Sequence, residues 1–526
     1  MRVLDADQAV KTLPDGVCIA ISGNGSILQP DRLLAALERA FLSSGHPRGL
    51  GLYYPVVIGT HSGNGIDHLA HPGLVSEVVA SCFDIWGVDR LATMIREDRI
   101  VAHCLPMGIM FQLLHAAADG QPGILSPIGL HTLIDPEVRG TSQNSVCTTS
   151  LARRTEMDGE PFLYYVAPRI GAAIIRGSVS DEDGNISLCQ EPITQGVLSM
   201  ALAARAGGGK VLVQVKGLVR RGTLRPSDVV VPGCLVDVVS VVPEQWQTAA
   251  GEYDARLTGA WSPPIPCSEV PLDLDTVIAR RAALELRPGM IVNLGFGIAT
   301  RVAAIAAESG VAGDLTFSVE HGPLGGMPAG TNIFGAAMGP SAILRSTDVF
   351  GLYHAGLLDL AILSAAEVDA EGNANVSRFA EQMPGPGGYI DITAPTRRLV
   401  LLSALRAGGL RWEIRPEGPR LLREGTIPRF VPVVRERTFP GRVAWSRGAQ
   451  VLYLTDRCAF ELSAEGLLLT EIAPGIDLRA DILDQMDFVP RVARQIEVWP
   501  AELFRSEALD LRRHWREVGI GTCRGF

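Results

Sequence analysis

The sequence predicts an α/β protein built as two tandem open domains, each a mainly parallel sheet covered on both faces by helices. Three observations carry this. Strand-like apolar runs alternate with helix-like stretches along most of the chain. The order strand, glycine turn, helix opens both halves, and an acidic-Gly-Asn turn after a buried strand recurs in both. The length, 526 residues, exceeds what one core of ordinary size organises.

In the first half, Leu13-Pro14-Asp15-Gly16 leads into the apolar run Val17 to Ile21, a turn Ser22-Gly23-Asn24-Gly25 and a helix from Pro30-Asp31. Leu50 to Ile58, Ile100 to Leu105 and Lys210 to Val215 read as buried strands. Pro72 to Cys82 and Ile193 to Ala204 read as helices between them. Ile100 to Ala118 carries no formal charge, but Pro106, Gly108, Gln112, His103 and His115 mark it as strand, turn and buried helix and not a membrane span.

The second half repeats the opening: Leu286 to Gly289, the strand Met290 to Leu294, Gly295-Phe296-Gly297, then a helix through Arg301 to Glu308. Ala172 to Ile175 followed by Asp181-Glu182-Asp183-Gly184-Asn185 reappears as Ala361 to Leu363 followed by Asp369-Ala370-Glu371-Gly372-Asn373. Matched landmarks in the same order predict duplication of one α/β domain. The expected boundaries are 1–245 for the first domain, 246–272 for a proline-rich extended linker, 273–500 for the second domain and 501–526 for a helical tail. In that tail Phe504, Ala508, Leu511 and Trp515 fall at helical spacing.

A net charge of −10 argues against nucleic acid or an anionic membrane as partner. Lysine occurs only at positions 11, 210 and 216, so any phosphate site is expected to use arginine and backbone amides. Nine scattered cysteines without a Cys-x-x-Cys pair fit free thiols in a reducing cytoplasm, and the N-terminus lacks the apolar core of a signal peptide.

Gly23-Asn24-Gly25 and Gly295-Phe296-Gly297 stand where a dinucleotide fold carries its phosphate loop. Neither continues into G-x-G-x-x-G, and no Walker motif occurs. The turns still offer backbone N–H groups at helix N-termini, suited to carboxylates, phosphates or an oxyanion. His61, His68 and His71 lack metal-ligand spacing, and no G-x-S-x-G elbow is present. Glu320 is the strongest reactive candidate, being the one formally charged side chain between Asp314 and Arg345, set after a strand-like run and before a glycine-rich loop. A loop glutamate turned to solvent, or one bonded by its own turn, is the bland alternative.

The segment Glu320-His321-Gly322-Pro323-Leu324-Gly325-Gly326-Met327-Pro328-Ala329-Gly330, with Phe334-Gly335-Ala336, resembles the active-site loop of family I CoA-transferases. Glu371 to Phe379, Gly385 to Thr393 and Glu471 to Leu478 resemble the acetate/3-ketoacid (acetoacetate/propionate-type) subfamily, in which both halves sit on one chain. Ala70 to Leu74, Asp135-Pro136 and Gly209 to Val215 fit as well. The resemblance covers about residues 10–495.

It implies two open α/β domains of the CoA-transferase (NagB/RpiA-like) superfamily with the active site between them. Glu320 is then the nucleophile of a ping-pong exchange between an acyl-CoA and a free carboxylic acid, through a covalent glutamyl-CoA thioester, in short-chain fatty acid and ketone-body metabolism. Coenzyme A is substrate and covalent intermediate; no permanently bound cofactor and no metal are expected. Partners are the two small molecules and further copies of the chain, as a cytoplasmic dimer or tetramer. Gly295, Gly297, Gly387 and Gly388 are the candidate turns for oxyanion and CoA-loop backbone donors. The expected substrate pocket is Asn24, Leu28, Met107, His131, Gly325, Gly326, His354 and Leu357. Four of these, Leu28, Met107, His131 and Leu357, are bulkier or less polar than the family pattern, which predicts that acetate and acetoacetate are poor substrates and a larger or functionalised acid is preferred. The same substitutions leave open a homologue that uses acyl-glutamyl chemistry for hydrolysis or another acyl transfer, or a catalytically silent binding subunit.

Overall fold

The computed structural model describes residues 1–265 and 269–519. Its first sheet has eight strands, in spatial order Arg2–Val3, Val238–Val241, Lys210–Val215, Ala172–Arg176, Cys18–Ile21, Leu50–Tyr54, Val75–Ala80 and Val101–Cys104. Every neighbouring pair is parallel. Each residue of Leu50–Tyr54 and Ala172–Arg176 is buried, as strands covered on both faces require. The helix Asp31–Ser44 follows the first glycine turn, buries Leu33, Leu34 and Leu37 along one face, and stops where Gly45 takes the left-handed conformation that glycine adopts without strain.

One expectation fails here. Pro72 to Cys82 is not helical: Val75–Ala80 is a strand pairing in parallel with Leu50–Tyr54 and Val101–Cys104. Val75, Val78 and Val79 are β-branched, and two strand edges were available to pair with, so tertiary pairing decided the conformation.

The second sheet repeats the centre of the first. Gln450–Leu454, Arg398–Leu402, Leu360–Ser364, Ile291–Leu294 and Thr316–Ser318 are parallel neighbours in that order. They correspond to Val238–Val241, Lys210–Val215, Ala172–Arg176, Cys18–Ile21 and Leu50–Tyr54. The recurring acidic turn is the same object twice. Asp181 Oδ1 accepts from the N–H groups of Asp183 and Asn185, and its Oδ2 accepts from Asn185 Nδ2. Asp369 does the same for Glu371 and Asn373. The two asparagine carbonyls then accept from Gly233 N–H and Gly441 N–H. Beyond the shared centre the halves diverge. The first sheet continues in parallel, whereas Thr316–Ser318 folds back into antiparallel Pro323–Leu324.

Between the sheets the chain is anchored at both ends. Arg176, paired with buried Glu191 at 3.0 Å, donates to the carbonyls of Trp246 and Gln247 at 2.6 and 3.3 Å. At the far end Val270 N–H donates to Glu308. Part of the expected extended linker, Pro266 to Ser268, lies outside the described residues. Among the described residues of the tail only Leu511–Glu517 is α-helical, and Ala508 is exposed, so the predicted helical stripe is shorter there than its spacing suggested. The tail still docks: Trp515 is fully buried and donates to Leu286 O, and buried Arg280 donates to the carbonyls of Leu503, Arg505 and Glu507. The residues 520–526 fall outside the described part. Among the described residues no helix is long and apolar enough to cross a membrane.

The halves are clasped on both sides of their seam. On one side Arg139 pairs with Glu436 at 2.6 Å, Arg378 donates to Gln143 O at 2.8 Å, and Leu133 N–H donates to Arg437 O. On the other, Asn24 donates to Phe334 O and Thr194 to Leu344 O.

Candidate active site

Glu320 sits on the turn that reverses the chain after Thr316–Ser318. Val319 N–H donates to Pro323 O and Gly322 N–H to Val319 O, closing the turn. A Cβ on Gly322 would lie 2.4 Å from Leu344 O at φ +133, so only glycine fits there. Glu320 is 7% exposed. Its polar contact is Asn293 Nδ2, 3.3 Å from Oε2; the same amide lies 3.2 Å from Ser318 O and 3.3 Å from Tyr353 Oη. Tyr353 Oη in turn pairs with Ser318 Oγ at 2.8 Å, and burial holds the phenol neutral. Among the described residues no arginine or lysine pairs with Glu320; His321 Nδ1 is 4.0 Å from Oε1. Glu320 is thus neither turned to solvent nor paired with an arginine or lysine among the described residues.

The first half supplies the facing wall. Gln195 holds Gly23 from both sides, accepting its N–H at 2.8 Å and donating to its carbonyl at 2.7 Å. This fixes Asn24, whose Nδ2 crosses to Phe334 O at 2.8 Å while its buried Oδ1 has no partner. A Cβ on Gly335 would meet Asn24 Nδ2 at 2.1 Å and His321 Cγ at 3.1 Å, so that glycine permits the two side chains to close on one another. Trp86, Phe296, Phe334 and His321 form an edge-to-face series with centroid separations of 6.4, 5.5 and 5.8 Å. Beside it a cavity of about 220 Å³ is bounded by Asn24 to Ile27, Thr60, Trp86, Ala249, Ala250 and Asn332 to Phe334.

A second loop crosses over Glu320. Gly387 N–H donates to Ser81 O at 3.1 Å and Met107 N–H to Gly387 O at 3.0 Å, tying this loop to the first half. A Cβ on Gly388 would come within 3.5 Å of Glu320 Cγ. Asp391, just beyond, accepts Gly108 N–H at 3.0 Å and pairs with His354 Nε2 at 3.0 Å, and His354 Nδ1 meets Gln112 at 3.0 Å. Cys82 lies close enough for the Glu320 charge to reinforce what burial does, and its thiol is pushed up to about 11.

The structure thus gathers Glu320, Asn24, Met107, Gly387 and Gly388 around one seam, with His354 bracing the loop through Asp391. Other expectations are corrected. Gly295 N–H donates to Ile362 O as the last rung of its ladder, and Gly387 N–H is held by Ser81, so neither is free for an oxyanion. Phe296, Gly297 and Gly388 N–H groups have no acceptor among the described residues. Leu28 is fully buried in the hydrophobic core, and Leu357 is 55% exposed beyond the helix Ser346–His354. His131 belongs to the clasp: its N–H donates to Asp135 and its carbonyl accepts from Arg437 at 2.6 Å. Gly325 and Gly326 serve backbone packing, a Cβ on them meeting Ser341 Oγ at 2.5 Å and Met338 O at 2.4 Å. Leu28 in the core, Leu357 at the surface and His131 in the clasp are therefore not among the residues gathered around Glu320, and the expected aversion to acetate loses that basis.

Sequence reasoning missed Asn293, Tyr353, Gln195 and Trp86. Asn293 did carry a signal, being a polar residue in an otherwise apolar strand where burial demands a partner. His68 and His71 both hydrogen-bond Glu38 at 2.7 Å, a structural brace, and no residue group fit to hold a metal occurs among the described residues.

Comparison with known proteins follows this geometry. The family model "Coenzyme A transferase" matches residues 3–241. The chain is 37% identical over 511 residues to the acetate CoA-transferase YdiF of Escherichia coli K12, covering 96% of each. It is 35% identical over 518 residues to the caffeate CoA-transferase of Acetobacterium woodii, covering 96% of this chain and 98% of that one. A crystal structure of the E. coli O157:H7 acyl-CoA transferase YdiF, as a thioester complex with CoA, superposes with a TM-score of 0.92 at 36% identity over 97% of each chain. The duplicated α/β architecture, the clasped seam and these near full-length likenesses together place the chain in the coenzyme A transferase family, as a single-chain CoA-transferase.

Proposed function

We propose that the chain exchanges CoA between an acyl-CoA and a free carboxylic acid through a covalent glutamyl-CoA thioester on Glu320. The observation that carries this is the buried Glu320 carboxylate, unpaired with any arginine or lysine among the described residues. It lies under a loop whose Gly388 N–H is free, in a fold shared with a relative crystallised as a thioester complex with CoA. The Glu320 oxygen attacks the thioester carbonyl, the C–S bond breaks, and a mixed anhydride and CoA thiolate result. The thiolate then attacks the glutamyl carbonyl, the first acid leaves as carboxylate, and the incoming acid reverses these steps. Each addition passes through an oxyanion. A single preorganised N–H donor contributes on the order of 3 to 4 kcal/mol to such a centre; Gly388 and the Phe296-Gly297 turn are the donors in this proposal. Asn293 orients the carboxylate and also donates to it without a full positive charge, which would blunt its nucleophilicity.

In this reading residues 1–245 supply the facing wall and residues 273–500 the nucleophile. The relatives' names bracket the acid from acetate to caffeate. Assembly into a cytoplasmic homo-oligomer belongs to the same proposal, and light scattering that returns a 56.1 kDa monomer would refute that part.

The deciding experiment is incubation with acetyl-CoA alone, borohydride reduction and mass spectrometry. The peptide holding Glu320 is expected to carry the modification, and Glu320→Gln to abolish it. A label on another peptide, or CoA release without any acceptor acid at the rate seen with one, overturns the proposal.

A further inference from the structure

His321 stands next to the proposed nucleophile in an unusual condition. It is 2% exposed, and neither ring nitrogen has a hydrogen-bond partner among the described residues. Buried polar atoms are nearly always paired, and leaving one unpaired is destabilising. A histidine kept for packing alone would do better as phenylalanine, which fills the same edge-to-face place against Phe334. The ring is held by structure and not by chance: Gly335 gives it room from one side, and Phe334 fixes its plane from another.

The separation of 4.0 Å from Nδ1 to Glu320 Oε1 is too long for a hydrogen bond. It is short enough that a group joined to Oε1 comes within reach of the ring. Burial lowers the affinity of His321 for a proton and so favours the neutral ring, which offers one N–H donor and one acceptor. A neutral ring leaves the Glu320 carboxylate free to attack, where an imidazolium would hold it in an ion pair.

We propose that His321 is a catalytic residue whose ring N–H donates a hydrogen bond to the acyl oxygen of the CoA donor's acyl group while that group is bonded to Glu320. This rests on the nucleophile assigned above. No proton is transferred. As the Glu320 oxygen adds to the thioester carbonyl, the C=O electron pair moves onto the acyl oxygen, His321 N–H steadies that charge, and the pair returns as the C–S bond breaks and thiolate leaves.

Two substitutions separate this from packing. His321→Gln keeps an N–H donor and loses the ring; His321→Phe keeps the ring and loses the donor. The hydrogen-bond role predicts that the Phe variant loses about 100-fold in kcat, the lower range for one oxyanion donor, with KM nearly unchanged. The Gln variant should retain several times the activity of the Phe variant. A packing role predicts the reverse order, and a Phe variant equal to wild type or better than Gln overturns the proposal. Should both variants fail to fold, the ¹⁵N-histidine spectrum of wild type decides. One imidazole should show a free N–H that shifts when acetyl-CoA is added and acyl exchange begins, and unmoved His321 signals sink the idea. Labelling of Glu320 in wild type keeps the two readings apart. If Glu320 never acquires CoA, the nucleophile assignment fails; if it does and the Phe variant matches wild type, only the role of His321 fails.

Discussion

Two places in this molecule occupy the same position in the duplicated fold and do opposite things. Register fixes the equivalence: Ala20 and Asn293 sit at matching points of the central strands, opposite Ala173 and Ala361. Their neighbours Tyr53 and Ser318 correspond as well, and two residues further on Pro55 stands where the other half has Glu320. In the first half this strand end is sealed. Tyr53 and Tyr54 are each 1% exposed, and Pro55 O accepts from Ser81 Oγ. In the second half the chain reverses at once and presents a carboxylate, with Asn293 in place of an alanine to hold it. One scaffold therefore has two fates: one copy presents Glu320, and the other supplies the facing wall through Asn24, Trp86 and the Ser81-Cys82 segment.

The largest contrast should come from the matched pair itself. Glu320→Gln is expected to lower CoA transfer by about 10³-fold or more, as for removal of other covalent nucleophiles. Pro55→Ala should change turnover by less than about tenfold, costing stability of order 1 kcal/mol. Steady-state kinetics on both variants would break the comparison if Pro55 proved as sensitive as Glu320.

A smaller effect is expected from making the second copy resemble the first at the strand. Asn293→Ala puts the residue of the first half behind Glu320. The fold should tolerate it, because Ala20 fills the same place, while kcat falls about 10²-fold through loss of one aimed donor. An unchanged kcat would show that Glu320 is oriented by its turn alone.

Weaker still is the influence of the facing wall. Gln195→Ala leaves Gly23 N–H and C=O unpaired in a buried setting, at a cost of about 1 to 3 kcal/mol. Thermal melting should register this, and Asn24, no longer held, should raise KM more than it lowers kcat. A normal KM would detach Gly23-Asn24 from substrate binding.

The smallest signal is pH-dependent. Burial depresses the proton affinity of His321 in the folded chain. The unfolded chain therefore binds the proton first, and the stability linked to the neutral ring is present above the ordinary histidine value of about 6.5 and declines as pH falls below it. Urea titrations of wild type and His321→Phe at pH 7.5 and 5.5 should show wild type losing more stability on acidification. Equal losses would mean that the ring is reached by solvent.

Much of the architecture was legible because it is written in local patterns: buried strand runs, the glycine turns and the repeated acidic-Gly-Asn turn each declare themselves within a few residues. Val75–Ala80 was misjudged because its conformation depends on two strands distant in the chain. Glu320 stood out as a lone charge in an apolar stretch. The pocket did not, because whether Leu28 or Leu357 faces the seam depends on how the halves meet. Correspondence of motifs says nothing of that: Leu28 entered the core and Leu357 reached the surface. The free N–H groups were equally hidden, since Gly295 and Phe296 differ only in which of them closes the ladder to Ile362.

The anchored connection between the halves has a consequence for how the site comes into being. Arg176 fastens the chain at Trp246 and Gln247, and Glu308 receives it at Val270, so a short stretch joins two surfaces that must meet to build one centre. Assembly of that centre is then a first-order event, governed by an effective concentration in the millimolar range typical of short tethers and not by how much protein is present. Dilution, which would part the same two surfaces on separate chains once the total fell below their Kd, leaves each molecule with its wall still facing Glu320.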